Sequence, residues 1–210
     1  MIIVFGGQKG GTGKSTLAIN TAAERVGQGR RVLMVDTDDQ LTMTKWATRR
    51  RQKGIKPSIA CVSMFGEAVS EEIMEQSGNY DDIIVDTHGG VTAEMVSALS
   101  VADRLITPTR TGQADLDTFA KVDQIIPQVR ALNKKLQACI VLNMALTEQR
   151  VGNAKESLSH LKNFRVLDHV IRARVAFEDT HQSGMGVTEF ERRNPEAVSE
   201  LLLLSEEVWA

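Results

Sequence analysis

Two lysines, Lys9 and Lys14, stand five positions apart within GGQKGGTGKST, residues 6–16. Glycines at this density let the backbone curl so that successive N–H groups point inward at an anion. Lys14 adds a full positive charge beside them, and the Ser15 hydroxyl is an oxygen ligand suited to Mg²⁺. That is phosphate-binding chemistry, and one lysine suffices for it. The second, Lys9, is either a solvated loop residue or a cation for some other phosphate. The strict phosphate-loop spacing G-x-x-x-x-G-K-[ST] asks for glycine at position 8, where this chain has Gln8.

Two acidic stretches follow apolar runs. Val32-Leu33-Met34-Val35 leads into Asp36-Thr37-Asp38-Asp39-Gln40, and Ile83-Ile84-Val85 leads into Asp86-Thr87-His88-Gly89-Gly90. An acid at a strand end beside a phosphate loop holds the Mg²⁺ shell, which makes Asp86 a metal candidate. Asp38 has two readings, a group at the phosphate site or the N-cap of a helix starting near Leu41. Asp36 could brace the loop from the strand end. His88 is the one unusual polar group near the phosphates; the residues alone read it as a loop histidine.

The elements that must position these groups alternate along the chain. Apolar, β-branched runs at 2–5, 31–35, 59–62, 83–85, 104–107, 138–142 and 166–171 read as strands. Amphipathic stretches at 14–28, 43–53, 66–76, 93–100, 115–132, 149–161 and 195–208 read as helices, the last opened by Pro195. Strands that are apolar throughout are buried on both faces, and strands separated by helices pair in parallel through right-handed crossovers. The expectation is an α/β fold: one doubly wound, mainly parallel sheet flanked by helices, with its ligand at the strand carboxyl ends beside the phosphate loop.

The 210 residues suit one domain of this kind. A net charge of −2 leaves any nucleic-acid binding to a local basic patch rather than a whole-chain field. Cys61 and Cys139 sit in apolar surroundings without metal-ligand spacing and read as buried thiols of a reducing, cytoplasmic compartment. No apolar run approaches the ~20 residues of a spanning helix.

Lys9-Gly10-Gly11-Thr12-Gly13-Lys14-Ser15-Thr16 resembles the deviant Walker A motif, K-G-G-x-G-K-[ST]-T, of the ParA/MinD ATPases. Asp36-Thr37-Asp38-Asp39-Gln40 resembles the family's D-x-D-P-Q, with Asp39 where proline is usual. Asp86-Thr87-His88-Gly89-Gly90 resembles its Walker B and switch II segment, in the wording of VirC-type members. Pro108-Thr109 with Gln113-Ala114-Asp115-Leu116 resembles its P-x…D-L stretch, and Val170 through Glu189 its C-terminal segment.

The resemblance implies ATP and Mg²⁺ as ligands. Residues 9–16 would bind ATP, and Ser15, Asp38 and Asp86 would serve the metal. Asp38 and Lys9 would be catalytic, Asp38 by positioning the attacking water or metal shell, Lys9 by reaching the partner's ATP across a homodimer interface. It further implies the short ParA type: residues 1–210 form one ATPase domain, without a helix-turn-helix domain ahead of the loop. ATP-dependent dimers would bind nucleoid DNA non-specifically, and a ParB-like adaptor would stimulate slow hydrolysis, segregating plasmid, chromosome or other cargo. Arg172 and Arg174, with Arg192 and Arg193, are the DNA-binding candidates; Arg49-Arg50-Arg51-Gln52-Lys53 is a second cluster or a solvated helix face. Two alternatives stand beside this: a metabolic P-loop synthase, and a MinD-like membrane-associated ATPase. The acidic, leucine-rich end at 200–210 disfavours an anionic membrane and suits packing against the sheet.

Overall fold

The computed structural model describes residues 1–190 and 194–210, and of Ala120 the backbone alone. The chain runs β1 (Ile2–Phe5), α1 (Lys14–Gly27), β2 (Val32–Asp36), α2 (Thr42–Gln52), β3 (Ala60–Ser63), α3 (Val69–Gln76), β4 (Asp82–Asp86) and α4 (Ala93–Leu99). It continues with β5 (Arg104–Thr109), α5 (Gln113–Leu116), α6 (Phe119–Leu132), β6 (Gln137–Leu142), α7 (Glu148–Leu158), β7 (Arg165–Val166), α8 (Val175–Ser183) and α9 (Pro195–Trp209). The strands form one sheet in the order β3-β2-β4-β1-β5-β6-β7, and every pairing within it is parallel.

Alternation along each strand divides the core between the two faces. Ile3 and Phe5 of β1, Val32 and Met34 of β2 and Ile84 of β4 pack on one face with α1, Trp46 of α2, Phe177 of α8 and Leu201 of α9. Ile2, Val4, Leu33, Val35, Ile83 and Val85 pack on the other, against α3, α4 and α6. Each such side chain contributes roughly 1.5–3 kcal/mol on burial, which is why the strands read as unbroken apolar runs.

Four elements differ from the sequence reading. The run at 166–171 is a strand only over Arg165–Val166; the chain then leaves the sheet and returns in a single bridge between Ala145 and Arg172. The helix at 115–132 is two, α5 and α6, broken at Asp117–Thr118. The strand near 59–62 lies at a sheet edge and is largely exposed rather than buried, because only one neighbour covers it. Helix α8 has no counterpart in the sequence reading; Gly184, left-handed at φ 74°, ends it. In α9, Leu201 and Leu204 pack inward while Leu202 and Leu203 are about two-fifths exposed, so only half of the leucine run packs toward the sheet.

β1 stands at the point where the chain reverses direction across the sheet. From it the chain goes to one side for β2, β3 and β4 and to the other for β5, β6 and β7. A crevice opens outside the carboxyl ends of strands at such a point. The loops after β1, β2 and β4 all empty into it.

Candidate functional site

The loop between β1 and α1 is held by its carbonyls. Asn143 Nδ2 donates to the Thr12 carbonyl at 2.7 Å, Arg110 Nη2 to that of Gly11 at 2.7 Å, and Lys14 Nζ to that of Lys9 at 3.2 Å. Gly13 is the position that demands glycine: its φ is +95°, and a Cβ there would sit 2.1 Å from Asn143 Nδ2. The first N–H groups of α1 have no intrahelical partners, and Lys14, Ser15 and Thr16 line a cavity, as an anion site requires.

That cavity has a volume of about 430 Å³. Gly10, Gly11, Gly13, Lys14, Ser15 and Thr16 form its floor; Asp38, Gln40, Thr42, His88 and Gly89 form one wall; Met144 and His181 complete the lining. The sequence-predicted phosphate loop and Asp38 therefore share one cavity. Switch-segment packing is close: a Cβ on Gly89 would stand 3.0 Å from the Gly10 nitrogen, and the Gly90 N–H donates to the Gly7 carbonyl at 3.0 Å.

Asp86 ends β4 beneath this floor and is fully buried. Burial pushes its carboxyl up to about 7; the Ser15 hydroxyl and Lys14 oppose the rise, and Asp36 and Asp38 add to it. Neither carboxylate oxygen has a hydrogen bond of good geometry among the described residues. Two orphaned carboxylate oxygens beside a serine hydroxyl fit Mg²⁺, a hard cation that takes one or two carboxylates and otherwise water and phosphate oxygens. Lys14 is itself held below the ordinary lysine range by burial, against the pull of Asp86 and Asp38.

The two aspartates after β2 divide the readings open for them. Asp36 braces the loop from the strand end: its Oδ2 accepts the Thr44 N–H of α2 at 2.8 Å and its Oδ1 the Asp38 N–H at 3.3 Å, while the N-cap position of α2 is Leu41. Asp38 instead faces the cavity. Its Oδ1 accepts the Gln40 N–H at 2.8 Å and lies 3.2 Å from His88 Nδ1. Burial works to raise this carboxyl, but the Gln40 N–H and His88 hold it below the usual aspartate value. His88 is thus the partner of Asp38, and of Asp39 at 3.4 Å, rather than a bystander of the glycines.

Lys9 and Lys14 separate clearly. Lys14 is buried in the cavity floor; the Lys9 side chain is 41% exposed and turns to Asp115 of α5, Nζ to Oδ1 2.7 Å. Lys9, which the resemblance implies reaches a partner's ATP, is held here by a carboxylate of its own chain.

The basic candidates are mostly engaged. Arg172 pairs with Glu148, and Arg174 Nη2 lies 2.6 Å from Glu200 Oε1. Arg192 and Arg193 lie outside the described residues. In the cluster on α2, Arg50 is buried, not solvated: Nη1 and Nη2 bind both oxygens of Glu189 at 2.8 and 2.7 Å, and the same guanidinium reaches the carbonyls of Pro57 and Gly184. Arg49 and Lys53 bind carbonyls at the end of α8. Sequence reasoning missed Met144 and His181, which the fold brings to the cavity from far along the chain with no local motif.

A glycine-rich loop opening a buried helix, a lysine in the cavity floor and strand-end aspartates on a parallel sheet define a P-loop nucleotide-binding domain. Residues 3–187 match the model of the CobQ/CobB/MinD/ParA nucleotide binding domain, and the chain belongs to that family. It is 24% identical over 201 residues to the maintenance of carboxysome distribution protein A of Halothiobacillus neapolitanus, covering 95% of this chain and 92% of the relative. It is 26% identical over 188 residues to the protein ParA of Rhizobium radiobacter, covering 87% and 83%. Among solved structures, the ATP complex of a McdA variant from Cyanothece superposes with a TM-score of 0.78 at 14% identity, over 99% of this chain and 96% of that one. The MinD septum-site protein of Pyrococcus horikoshii with Mg-ADP superposes with a TM-score of 0.74 at 19% identity, over 99% and 95%. The family is one of nucleotide-binding ATPases that includes positioning proteins. Among the described residues no helix is long and apolar enough to cross a membrane.

Proposed function

We propose that residues 1–210 form a single ParA-type positioning ATPase domain whose dimerisation is governed by ATP. The observation that carries this reading is the division between the lysines: Lys14 lies in the cavity floor, while Lys9 stands outside it, 41% exposed and paired with Asp115. A lysine not used by its own nucleotide is available to a partner's. Two copies facing each other would exchange the Lys9–Asp115 contact for one between Lys9 and the γ-phosphate across the interface, as trans cations do in other NTPases.

Lys14 and the N–H groups of residues 10–16 hold the phosphates. Ser15 and Asp86, with Asp38 in the outer shell, hold Mg²⁺. When bound, that ion neutralises charge on the β- and γ-phosphates. Asp38, fixed by Gln40 and His88, orients the attacking water. The ATP dimer binds DNA through phosphate contacts insensitive to sequence, a ParB-like adaptor stimulates hydrolysis, and the cycle moves cargo over the nucleoid in the cytoplasm. Support comes from the family, from ParA and Soj among the relatives, and from the geometry of the lysines.

Light scattering and retention of arbitrary DNA, each with Mg²⁺ and either ATP or ADP, test the reading. ATP alone should give dimers and retention; equal behaviour with ADP, or dimers indifferent to nucleotide, overturns it.

A further inference from the structure

We propose that His181 is a positioning residue of the nucleotide site, its Nε2–H fixing the Thr16 hydroxyl as a donor to the α-phosphate. This rests on the nucleotide reading above and adds to that site a residue of α8.

His181 Nε2 lies 2.8 Å from Thr16 Oγ1, and both residues line the cavity that holds the glycine loop. The ring is held against its neighbours from behind. Asn20 Nδ2 donates to Thr180 Oγ1 at 3.3 Å, Trp46 Nε1 to the Thr180 carbonyl at 2.9 Å, and Arg49 Nη1 to the His181 carbonyl at 3.0 Å. These bonds hold α8 on α1 and α2, so the imidazole is in place before any ligand arrives.

Burial, with Arg49 adding to it, lowers the His181 pKa, so the ring is neutral and carries one N–H. A hydroxyl carries one hydrogen. If Nε2 were the acceptor, the Thr16 hydrogen would be spent on the ring. If Nε2–H donates, the ring occupies a lone pair of Oγ1 and the Thr16 O–H is released toward the cavity. An anion at this helix N-terminus selects the second arrangement, because it accepts that hydrogen.

The position along the chain identifies the phosphate. In a phosphate loop the lysine reaches the β- and γ-phosphates and the next hydroxyl serves Mg²⁺, while backbone N–H groups cradle the α- and β-phosphates. Asp38, His88 and Asp86 belong to that metal end. Thr16 follows Ser15 by one residue, a rotation of roughly 100° about α1, which turns its hydroxyl from the metal end to the α-phosphate.

The test is a double-mutant cycle on ADP affinity by calorimetry with Mg²⁺: parent, His181→Ala, Thr16→Val and the double variant, with circular dichroism confirming each fold. Each single change should weaken ADP about tenfold, the equivalent of ~1.4 kcal/mol, and the double change no further, because both remove one shared donor. His181→Gln, which keeps an N–H, should regain part of the loss. In ³¹P NMR of bound ADP, His181→Ala should shift the α-phosphorus signal and leave the β signal. A parent that binds ADP while His181→Ala binds it equally well, or losses that add in the double variant, overturns the role of His181 and leaves the nucleotide reading standing. A parent that binds no ADP overturns the nucleotide reading itself, and this proposal with it.

Discussion

Lys9 Nζ lies 2.7 Å from Asp115 Oδ1, so the lysine proposed to serve a second subunit is bound to a carboxylate of its own. The Lys9 side chain is 41% exposed while that of Asp115 is only 12% exposed, so the ammonium is screened by water and the carboxylate is not. The contact sets where Lys9 rests, and the exposed ammonium is the half of it that a γ-phosphate can draw away. Asp115 competes with that phosphate for the same ammonium.

The competition gives opposite signs for two variants. Lys9→Ala should bind ATP and lose ATP-dependent dimerisation and DNA retention together. Asp115→Asn should dimerise at protein concentrations severalfold lower than the parent, because the competing carboxylate charge is gone. Light scattering across a dilution series, under conditions that block turnover, reads both. If Lys9→Ala dimerises with ATP as the parent does, Lys9 is only a loop lysine.

Lys14→Ala removes the charge in the cavity floor that faces Asp86 and Asp38. ATP affinity should fall by at least tenfold, since one charge-assisted hydrogen bond contributes about 1.5–3 kcal/mol. Calorimetric titration of ATP with Mg²⁺ decides it; unchanged affinity removes the phosphate-loop assignment.

Much of this site was legible because its signals are local. The unbroken apolar run of β1 and the glycines after it mark a strand, a turn and a helix in sixteen residues, and Asp86 ends its own apolar strand. What was not legible depends on distant packing. Asp36 and Asp38 are both acids at the end of β2, and only the observed loop path shows that Asp36 braces the first turn of α2 while Asp38 faces the cavity. Arg50 looks like its exposed neighbour Arg51 in sequence; Glu189, 139 residues away, makes it a core residue. His181 has no motif, because its role exists only where α8 lies on α1.

Asp38→Ala should bind ATP and form dimers that persist, because the change removes the residue proposed to orient the attacking water and leaves the phosphate loop intact. Phosphate release per bound ATP should fall by about 10²-fold or more, in line with the loss of one positioned acid–base group. Release at the parental rate would remove Asp38 from the mechanism.

Arg50→Ala should unfold the protein more easily by about 3 kcal/mol, since it leaves Glu189 and the carbonyls of Pro57 and Gly184 without their buried cation. Arg50→Lys should not restore this, because one ammonium cannot span both Glu189 oxygens. Urea unfolding measures it. A loss under half of that figure would mean that water replaces the guanidinium and that α2 and α8 dock by apolar packing alone.

DNA binding tests whether paired arginines can still act. Arg174 is held by Glu200, whose other oxygen accepts the Arg172 N–H at 3.0 Å, and Arg172 also pairs with Glu148. A phosphate must compete with these acids for the guanidinium groups. Double replacement of Arg172 and Arg174 by alanine should therefore weaken retention of arbitrary DNA and flatten its salt dependence, by a slope of about 0.9 for each phosphate no longer neutralised. Glu148→Gln should strengthen retention, because it frees Arg172 without touching the loop that Glu200 holds. Gel retardation across a salt series, with ATP-dependent dimerisation checked in each variant, separates the cases. If the double replacement leaves affinity and slope unchanged, these arginines serve only to fasten the chain after β7 to α7 and α9, and the DNA surface lies elsewhere on the dimer.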